Sequence, residues 1–594
     1  MTNLFYIIFL QNLLKFAAHF KTLRSKFFET SLLALLFFGV YVLFTYPLIG
    51  SMDELVIGKM DVYQYIWNVY NFQKSLSEGT NPFYSNEIFY PVGVSLWLHT
   101  YTPILCLFGL FFDNHILSNN ILFAASYVFS GVGAYYLCKR FVKNPLLCFV
   151  AGFIFAFSPY KMARLLEHHN LILTATIPFF LLAFLDTFDF QKGFLPKIVS
   201  KKHLFLCLLL GFVTFLCDYY LTFFLLFFAF FYGAYYVGGR VFAKWKLWHK
   251  VFLLLAIVLI SDQLIQWLLR WKMHDNGGIF WGGNLAAFAL PFWNSRFLDN
   301  GFFSFVNYYY FEVSSTHENV MFLGFTLIAC SFLLLAYIFS EKLPAPLRPL
   351  AFCLLMFFLL TMPRIKFLNW VIVYSPTALY HFIPFLNKLR CPTRFVLMIT
   401  LLLPLLSFWV IEQKILLQKV GKLRFALPLC IFILLFTEYY PKTYPFISTN
   451  DVPKVYHALA KKEGETLWTI PFGINSGYKT YGKFHTKALF YQQFHRKKLF
   501  SGYISHVPDA TYEFFLSDSL TSRLCRYPQN FFVNVPPLKK SESEAFIQKF
   551  HPDFILIYPE YRSQNVRTYL YNGLLPYIQK EEIIDGYELW TMKK

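Results

Sequence analysis

Charge is scarce in this sequence. Only 14% of its 594 residues are Asp, Glu, Lys or Arg, too few to clothe a water-soluble globule of this length. No CxxC pair and no metal-ligand spacing appears among the ten cysteines, most of which fall in apolar stretches, so neither a disulfide framework nor a zinc module is expected. There is no glycine-rich phosphate loop, no internal repeat at solenoid period and no low-complexity linker. The formal net charge is +20, but the Lys and Arg residues sit mainly in short connections rather than on one basic face, which excludes nucleic acid as the partner. The basic aromatic stretch "RVFAKWKLWHK" at 240–250 adjoins an apolar run and reads as an interfacial anchor.

What is present is apolar bulk, 57% hydrophobic and 21% aromatic, with 75 Phe and 40 Tyr. Runs of about twenty apolar residues recur, the length a helix needs to cross a hydrocarbon core. Eleven spans are expected near 31–50, 117–138, 145–160, 171–187, 203–217, 221–239, 251–270, 319–339, 349–362, 395–412 and 425–440. The first has no small-residue cleavage site after it and reads as an uncleaved anchor. The fold class is thus an all-α polytopic membrane protein. Residues 1–30 form a cytoplasmic amphipathic N-terminus, 31–440 a transmembrane domain, and 441–594 a further domain.

Basic connections alternate along the chain: Lys15, Lys21, Arg24 and Lys26; Lys139, Arg140 and Lys143; Lys192, Lys197, Lys201 and Lys202; Arg240, Lys244, Lys246 and Lys250; Lys414, Lys419, Lys422 and Arg424. By the positive-inside rule these face the cytoplasm, placing the chain in the cytoplasmic (inner) membrane with its C-terminal domain extracytoplasmic. In that domain "TLWTIPF", "DFILIYP" and "YELWTM" read as strands and "VPKVYHALAKKEG", "SESEAFIQKFH" and "VRTYLYNGLL" as helices, giving a soluble α/β or α+β fold without a nucleophile constellation. Its stretch "YQQFHRKKLFSGY", with His495, reads as a solvated helix end, with contact to an acceptor glycan as the other reading.

The outer loops hold the polar chemistry. The first, 51–100, is long and contains "DVYQYIWNVYNF", whose Asp61, Tyr65, Asn68 and Phe72 share one helical face; such a helix suits a membrane surface, with Tyr63, Tyr65, Trp67 and Tyr70 as anchors. The second, "SPYKMARLLEHHN", packs Lys161, Arg164, Glu167, His168, His169 and Asn170 at a span end. The loop 363–394 carries Arg364, Lys366, Lys388, Arg390 and Arg394 with no acid, against the charge rule for an outward loop. An outward aspartate and an outward basic cluster at a lipid boundary fit transfer of a sugar from a lipid phosphate. Cations hold the leaving phosphate and the carboxylate takes the acceptor proton.

At these residues the chain resembles the GT-C superfamily of polyprenyl-phosphate-sugar-dependent membrane glycosyltransferases, especially its uncharacterised bacterial members. "GKMDVYQYIW" followed by "GTNPFYSNEIFYPVGVSLWLHTYTP" resembles that group's first outer loop and points at Asp61. "SPYKMARLLEHHNL" is similar to a second-loop pattern in which His168, Asn170 and Leu171 match while Glu167 replaces a glycine. "HENVMFLG" resembles a third segment, beginning with Glu318, and "LRCPTRFVLM" a span start to which Pro392 and Arg394 belong. The likeness covers about residues 31–410.

It implies a glycosyltransferase, transferring a hexosyl or pentosyl group in cell-envelope glycan biosynthesis, with Asp61 and His168 as catalytic candidates. Arg394, Arg390 and Lys388 would bind the donor phosphate; Glu167, His168 and Glu318 are candidates for a divalent metal or for the acceptor. Asp53 and Glu54 are the other acids near the first span. The partners implied are a polyprenyl-phosphate sugar, an acceptor that is a glycan, a lipid or a protein, and membrane lipid. A transporter or flippase for a lipid-linked glycan is the alternative, though it predicts paired halves with helices broken near midplane. A structural or assembly protein is the third class.

Overall fold

The computed structural model describes residues 26–97, 99–190, 195–270, 282–291, 295–298, 301–310, 318–368, 370–417 and 421–593. Most of the amphipathic segment expected at 1–30 lies outside them, as do Lys192 and Lys419. The chain forms two compact units, one of Met1–Ile49, Phe123–Leu165 and Leu171–Tyr444, the other of Gly50–Leu122, Leu166–Asn170 and Pro445–Lys594.

The first unit is helical. Each of the eleven expected segments coincides with a helix. Among the described residues, six helices are long and apolar enough to cross a membrane: Lys26–Thr45, His115–Lys139, Pro145–Arg164, Tyr219–Val241, Trp248–Arg270 and Pro392–Leu416. The chain is a multi-pass membrane protein. The other five helices have 12 to 17 residues, and the shortest, at 1.5 Å per residue, reaches only about 18 Å. Six is therefore the number that length and composition support.

Helix Val396–Ile411 is apolar on every side and is the centre of the bundle, packed against Pro145–Phe157, Phe325–Ser340 and Arg348–Thr361. A helix with no polar face has to be buried. In Trp248–Arg270, by contrast, only 11% of the apolar window is covered by protein. Polar groups close the helix ends. Pro145 opens its helix, Asn144 Oδ1 accepts from the N–H groups of Leu146 and Leu147 at 3.0 and 3.1 Å, and the Glu412 carboxylate accepts from those of Lys143 and Asn144. The span expected from 319 starts only at Phe325, because Gly324 takes a φ of +88° that ends the extended entry.

The second unit is built on a five-stranded sheet in the order 498–499, 466–470, 554–557, 587–592, 578–584. The first three strands are parallel to one another and the last two join antiparallel. Trp468 fills the space over it, stacked on Phe472 at 4.4 Å and edge-on to Phe546 and Phe550. The six segments read as strands and helices in the tail are all found as such.

Residues 50–122 fold into this same unit. Strand Leu55–Ile57 pairs antiparallel with Phe446–Ser448. Helix Val62–Ser77 packs on Lys487–His495, where Trp67 Nε1 donates to Gln492 Oε1 at 2.6 Å and Gln492 Nε2 donates to the carbonyls of Glu87 and Lys497. Tyr65, Trp67 and Tyr70 are 2, 1 and 8% exposed. The expected membrane-surface helix is thus a core helix of the unit: Tyr65, Trp67 and Asn68 hydrogen-bond to Asn170, Gln492 and the Thr100 carbonyl. His495, read as part of a solvated end, is likewise buried.

Candidate functional site

In the membrane unit two guanidinium groups close on one carboxylate. Arg394 presents its Nε–Nη2 edge to Glu318, with Nη2 at 2.5 Å from Oε1 and Nε at 3.2 Å from Oε2; Arg164 Nη1 reaches the same Oε2 at 3.0 Å. All three side chains are buried. Each cation also lies on an aromatic face, Arg394 4.5 Å from the ring centre of Tyr220 and Arg164 4.6 Å from that of Tyr160. Asp218, which caps the helix carrying Tyr220, adds a second carboxylate close to this centre.

Local sequence explains each position. Ser158 breaks the helix that begins at Pro145, and Pro159 starts a short one, Pro159–Arg164, whose last residue is Arg164. Pro392 opens the turn Pro392–Phe395, which sets Arg394 at the foot of the central helix. The backbone just before it is held by Tyr220, whose hydroxyl accepts from the Cys391 N–H at 3.2 Å and donates to the Lys388 carbonyl at 3.4 Å. The segment carrying Glu318 is tied at its far end, where Glu438 accepts from Thr326 N–H at 3.1 Å and from its hydroxyl at 2.7 Å. Gly324 makes that approach feasible, since a Cβ there would come within 2.5 Å of Glu438 Oε2.

Lys388 is exposed and Arg390 half-buried on the stretch leading to Arg394. Lys161, in the same short helix as Arg164, is fully buried, with Nζ donating to Ser130 Oγ at 2.9 Å over the Tyr127 ring.

Asp61, Glu167 and His168 belong to the second unit. Asp61 is half-buried at the N-terminus of helix Val62–Ser77 and makes no capping bond to it. Residues 166–170 lie along this same stretch. The Lys59 N–H donates to the Leu166 carbonyl at 3.0 Å, Lys59 Nζ is 3.7 Å from Glu167 Oε1, and the Tyr65 hydroxyl donates to Asn170 Oδ1 at 2.5 Å. His169 stacks on Tyr65 and its Nε2 meets the Ile57 carbonyl at 3.1 Å. So the first two motifs, about a hundred residues apart in sequence, share one locale. Among the described residues no three His, Cys, Asp or Glu side chains converge as a metal ion requires. Asp53 and Glu54 are exposed.

Sequence reading assigned no role to Arg164, Tyr160, Tyr220 or Glu438. Arg164 stood in a visibly ionic segment. Tyr220 carried no signal inside a helix of repeated aromatics.

A family model described as Domain of unknown function (DUF6311) matches residues 30–435. The chain belongs to this family. The DUF6311 match takes in Asp61, Glu167, His168, Glu318, Lys388, Arg390 and Arg394 and stops before all five strands of the sheet. No curated protein matches the sequence. Among solved structures, arabinofuranosyltransferase AftD from Mycobacteria superposes with a TM-score of 0.50 at 12% identity, over 95% of this chain and 41% of AftD. The chain thus spans about two-fifths of that protein's length. The oligosaccharyltransferase of Archaeoglobus fulgidus, in complex with zinc and sulfate, gives a TM-score of 0.44 at 10% identity, over 89% of this chain and 68% of the other. The DUF6311 chain shares its fold with AftD.

Proposed function

We propose that this protein is a membrane glycosyltransferase that moves a sugar from a polyprenyl-phosphate donor to an acceptor hydroxyl on the extracytoplasmic side. The observation that carries the proposal is the buried centre in which Arg394 and Arg164 are fixed by Glu318 on the rings of Tyr220 and Tyr160, in a chain whose fold is shared with an arabinofuranosyltransferase. A planar, pre-oriented guanidinium suits phosphate oxygens, and Glu318 holds Arg394 by one edge so that its Nη1 side is aimed elsewhere.

In the proposed reaction the acceptor oxygen attacks the anomeric carbon while the bond from that carbon to the phosphate oxygen breaks. The phosphate leaves with the bonding electrons and is steadied by Arg394, with Arg390 and Lys388 beside it in sequence. The acceptor proton passes to the carboxylate of Asp61. We assign His168 and Glu167 to the acceptor; they are close in sequence to Asn170, which Tyr65 holds.

A transporter reading makes no use of a fork-shaped cation already oriented at a helix foot. The test is an assay of purified protein with polyprenyl-phosphate sugars and a panel of acceptors. Transfer of label to an acceptor, weakened by about ten- to a hundredfold in Arg394→Lys through loss of one charged hydrogen bond, supports the proposal. Movement of donor across vesicles without transfer overturns it. The assigned side is checked by a reporter fused after Lys594, where activity of a reporter that works only in the cytoplasm reverses the topology.

A further inference from the structure

The strands Arg364–Phe367 and Trp370–Tyr374 form an antiparallel hairpin in the register Phe367 to Trp370 and Arg364 to Tyr374. Near the turn one charged residue, Lys366, is paired with Val371 and buried, while the apolar side chains stand open: Phe367 is 52% exposed, Trp370 80%, Val371 47% and Ile372 63%. In water such an apolar ribbon with an open edge invites aggregation. Its backbone is treated differently from that of a water-exposed hairpin. At the turn, both polar groups of Leu368 are taken by one buried side chain, Asn284, whose Oδ1 accepts from the Leu368 N–H at 3.0 Å and whose Nδ2 donates to the Leu368 carbonyl at 2.6 Å. At the far end the Tyr374 N–H donates to Asp262 Oδ1 at 3.0 Å.

Asp262 lies within Trp248–Arg270, a helix with mean hydropathy 2.1 that shows most of its surface to the outside of the bundle. It stands eight residues before Arg270, about 12 Å along the axis. Ile265 and Leu269, on the same stretch of helix, pack against Ala378 and Tyr374. The hairpin and the chain after it therefore dock alongside the apolar length of a spanning helix, not beyond its end. A carboxylate at that depth is costly without partners; here it accepts from a backbone N–H and from Gln266 Nε2.

We propose that this hairpin lies in the acyl-chain region of the bilayer, with Phe367, Trp370 and Ile372 against lipid, and that Asp262 and Asn284 supply the hydrogen bonds water would otherwise give. Irregular backbone is tolerated at membrane depth where its polar groups are satisfied by protein; these two side chains do this for both polar groups of Leu368 at the turn and for the Tyr374 N–H at the far end. The occupant is phospholipid, since the exposed face continues the lipid-facing surface of Trp248–Arg270. The inference stands independently of sugar transfer.

The test uses the full chain in lipid nanodiscs, with Cys430→Ser removing the exposed cysteine. Spin labels are placed at Trp370→Cys and Ile372→Cys, with Leu259→Cys on the lipid-facing helix and Tyr478→Cys in the second unit as references. The ratio of oxygen to nickel-chelate accessibility at 370 and 372 is expected to equal that at 259. A ratio equal to that at 478 means water, and low access to both reagents means a covering protein surface; either result overturns the proposal. Quenching by brominated lipids, taken as the difference between wild type and Trp370→Phe, reads the same depth without a label. Loss of that difference signal has the same meaning.

Discussion

Arg394 and Glu318 meet edge to edge, with Nη2 to Oε1 at 2.5 Å and Nε to Oε2 at 3.2 Å, and Arg164 shares the second oxygen. Glu318 is therefore the common support of two buried cations. Glu318→Gln removes from both the carboxylate they share in a poorly solvated place. Breaking a buried pair costs about 3–5 kcal/mol, so the variant should lose stability by that order, read as a large drop in apparent Tm in detergent. Unchanged Tm and unchanged donor affinity together would show that the carboxylate supports neither guanidinium.

Asp61 differs from the acids around it. Asp53 and Glu54 are exposed, whereas Asp61 is half-buried at the start of helix Val62–Ser77. A general base contributes on the order of a hundred- to ten-thousandfold. Asp61→Asn should lower turnover by about that factor with little change in Tm or donor affinity, while Asp53→Asn leaves turnover near wild type. Comparable rates for the two variants in the transfer assay would remove Asp61 from the reaction.

The helices were legible because an apolar run near twenty residues long is a local property, and so were the tail's strands. The second unit as a whole was not. It depends on contacts such as Trp67 to Gln492, 425 residues apart in sequence, and on a strand pairing between 55–57 and 446–448. The aromatic alternation in 61–72 suits a headgroup layer and a protein core equally well. Which one holds depends on whether partners such as Gln492 and Asn170 arrive. The site shows the same division. Glu318 and Arg394 each stood out in their own motifs, but nothing local indicates that they bind each other, or that Arg164, 154 residues from Glu318, joins them.

Two histidines give the second unit a pH dependence. His99 is buried, its Nδ1 accepting from the Ser505 N–H at 3.2 Å, and His495 is buried with Nδ1 accepting from the Lys497 N–H at 3.0 Å. Burial pushes both pKa values down to about 3, helped at His495 by the charge of Lys497. The unfolded rings titrate near 6.5. Between those values the unfolded chain binds protons that the folded one refuses, so the stabilisation is complete above about pH 6.5 and is lost as pH falls towards 3. Each histidine adds a slope of about 1.4 kcal/mol per pH unit in that window. Unfolding followed from pH 7.5 to 4.5 should show the decline, and His99→Gln with His495→Gln should flatten it. An equal slope in the double variant would assign the dependence to other groups.

Gly324 couples the helix Phe325–Ser340 to the ionic centre. Its φ of +88° is one that side chains rarely adopt, and a methyl group there would stand 2.5 Å from Glu438 Oε2, with Leu435 Cδ2 at 3.0 Å behind it. Glu438 cannot simply withdraw, because it accepts from the Thr326 N–H at 3.1 Å and hydroxyl at 2.7 Å and so closes the helix N-terminus. Gly324→Ala therefore combines backbone strain with loss of a cap, each about 1 kcal/mol or more. Since Glu318 lies six residues upstream on the same entry segment, the shift should also loosen its hold on Arg394. The expected result is a lower Tm together with weaker donor binding. Glu438→Gln, which keeps an acceptor oxygen, should retain more of both. If Gly324→Ala lowers Tm but leaves donor binding at the wild-type level, the segment acts only as a helix entry and the position of Glu318 does not depend on it.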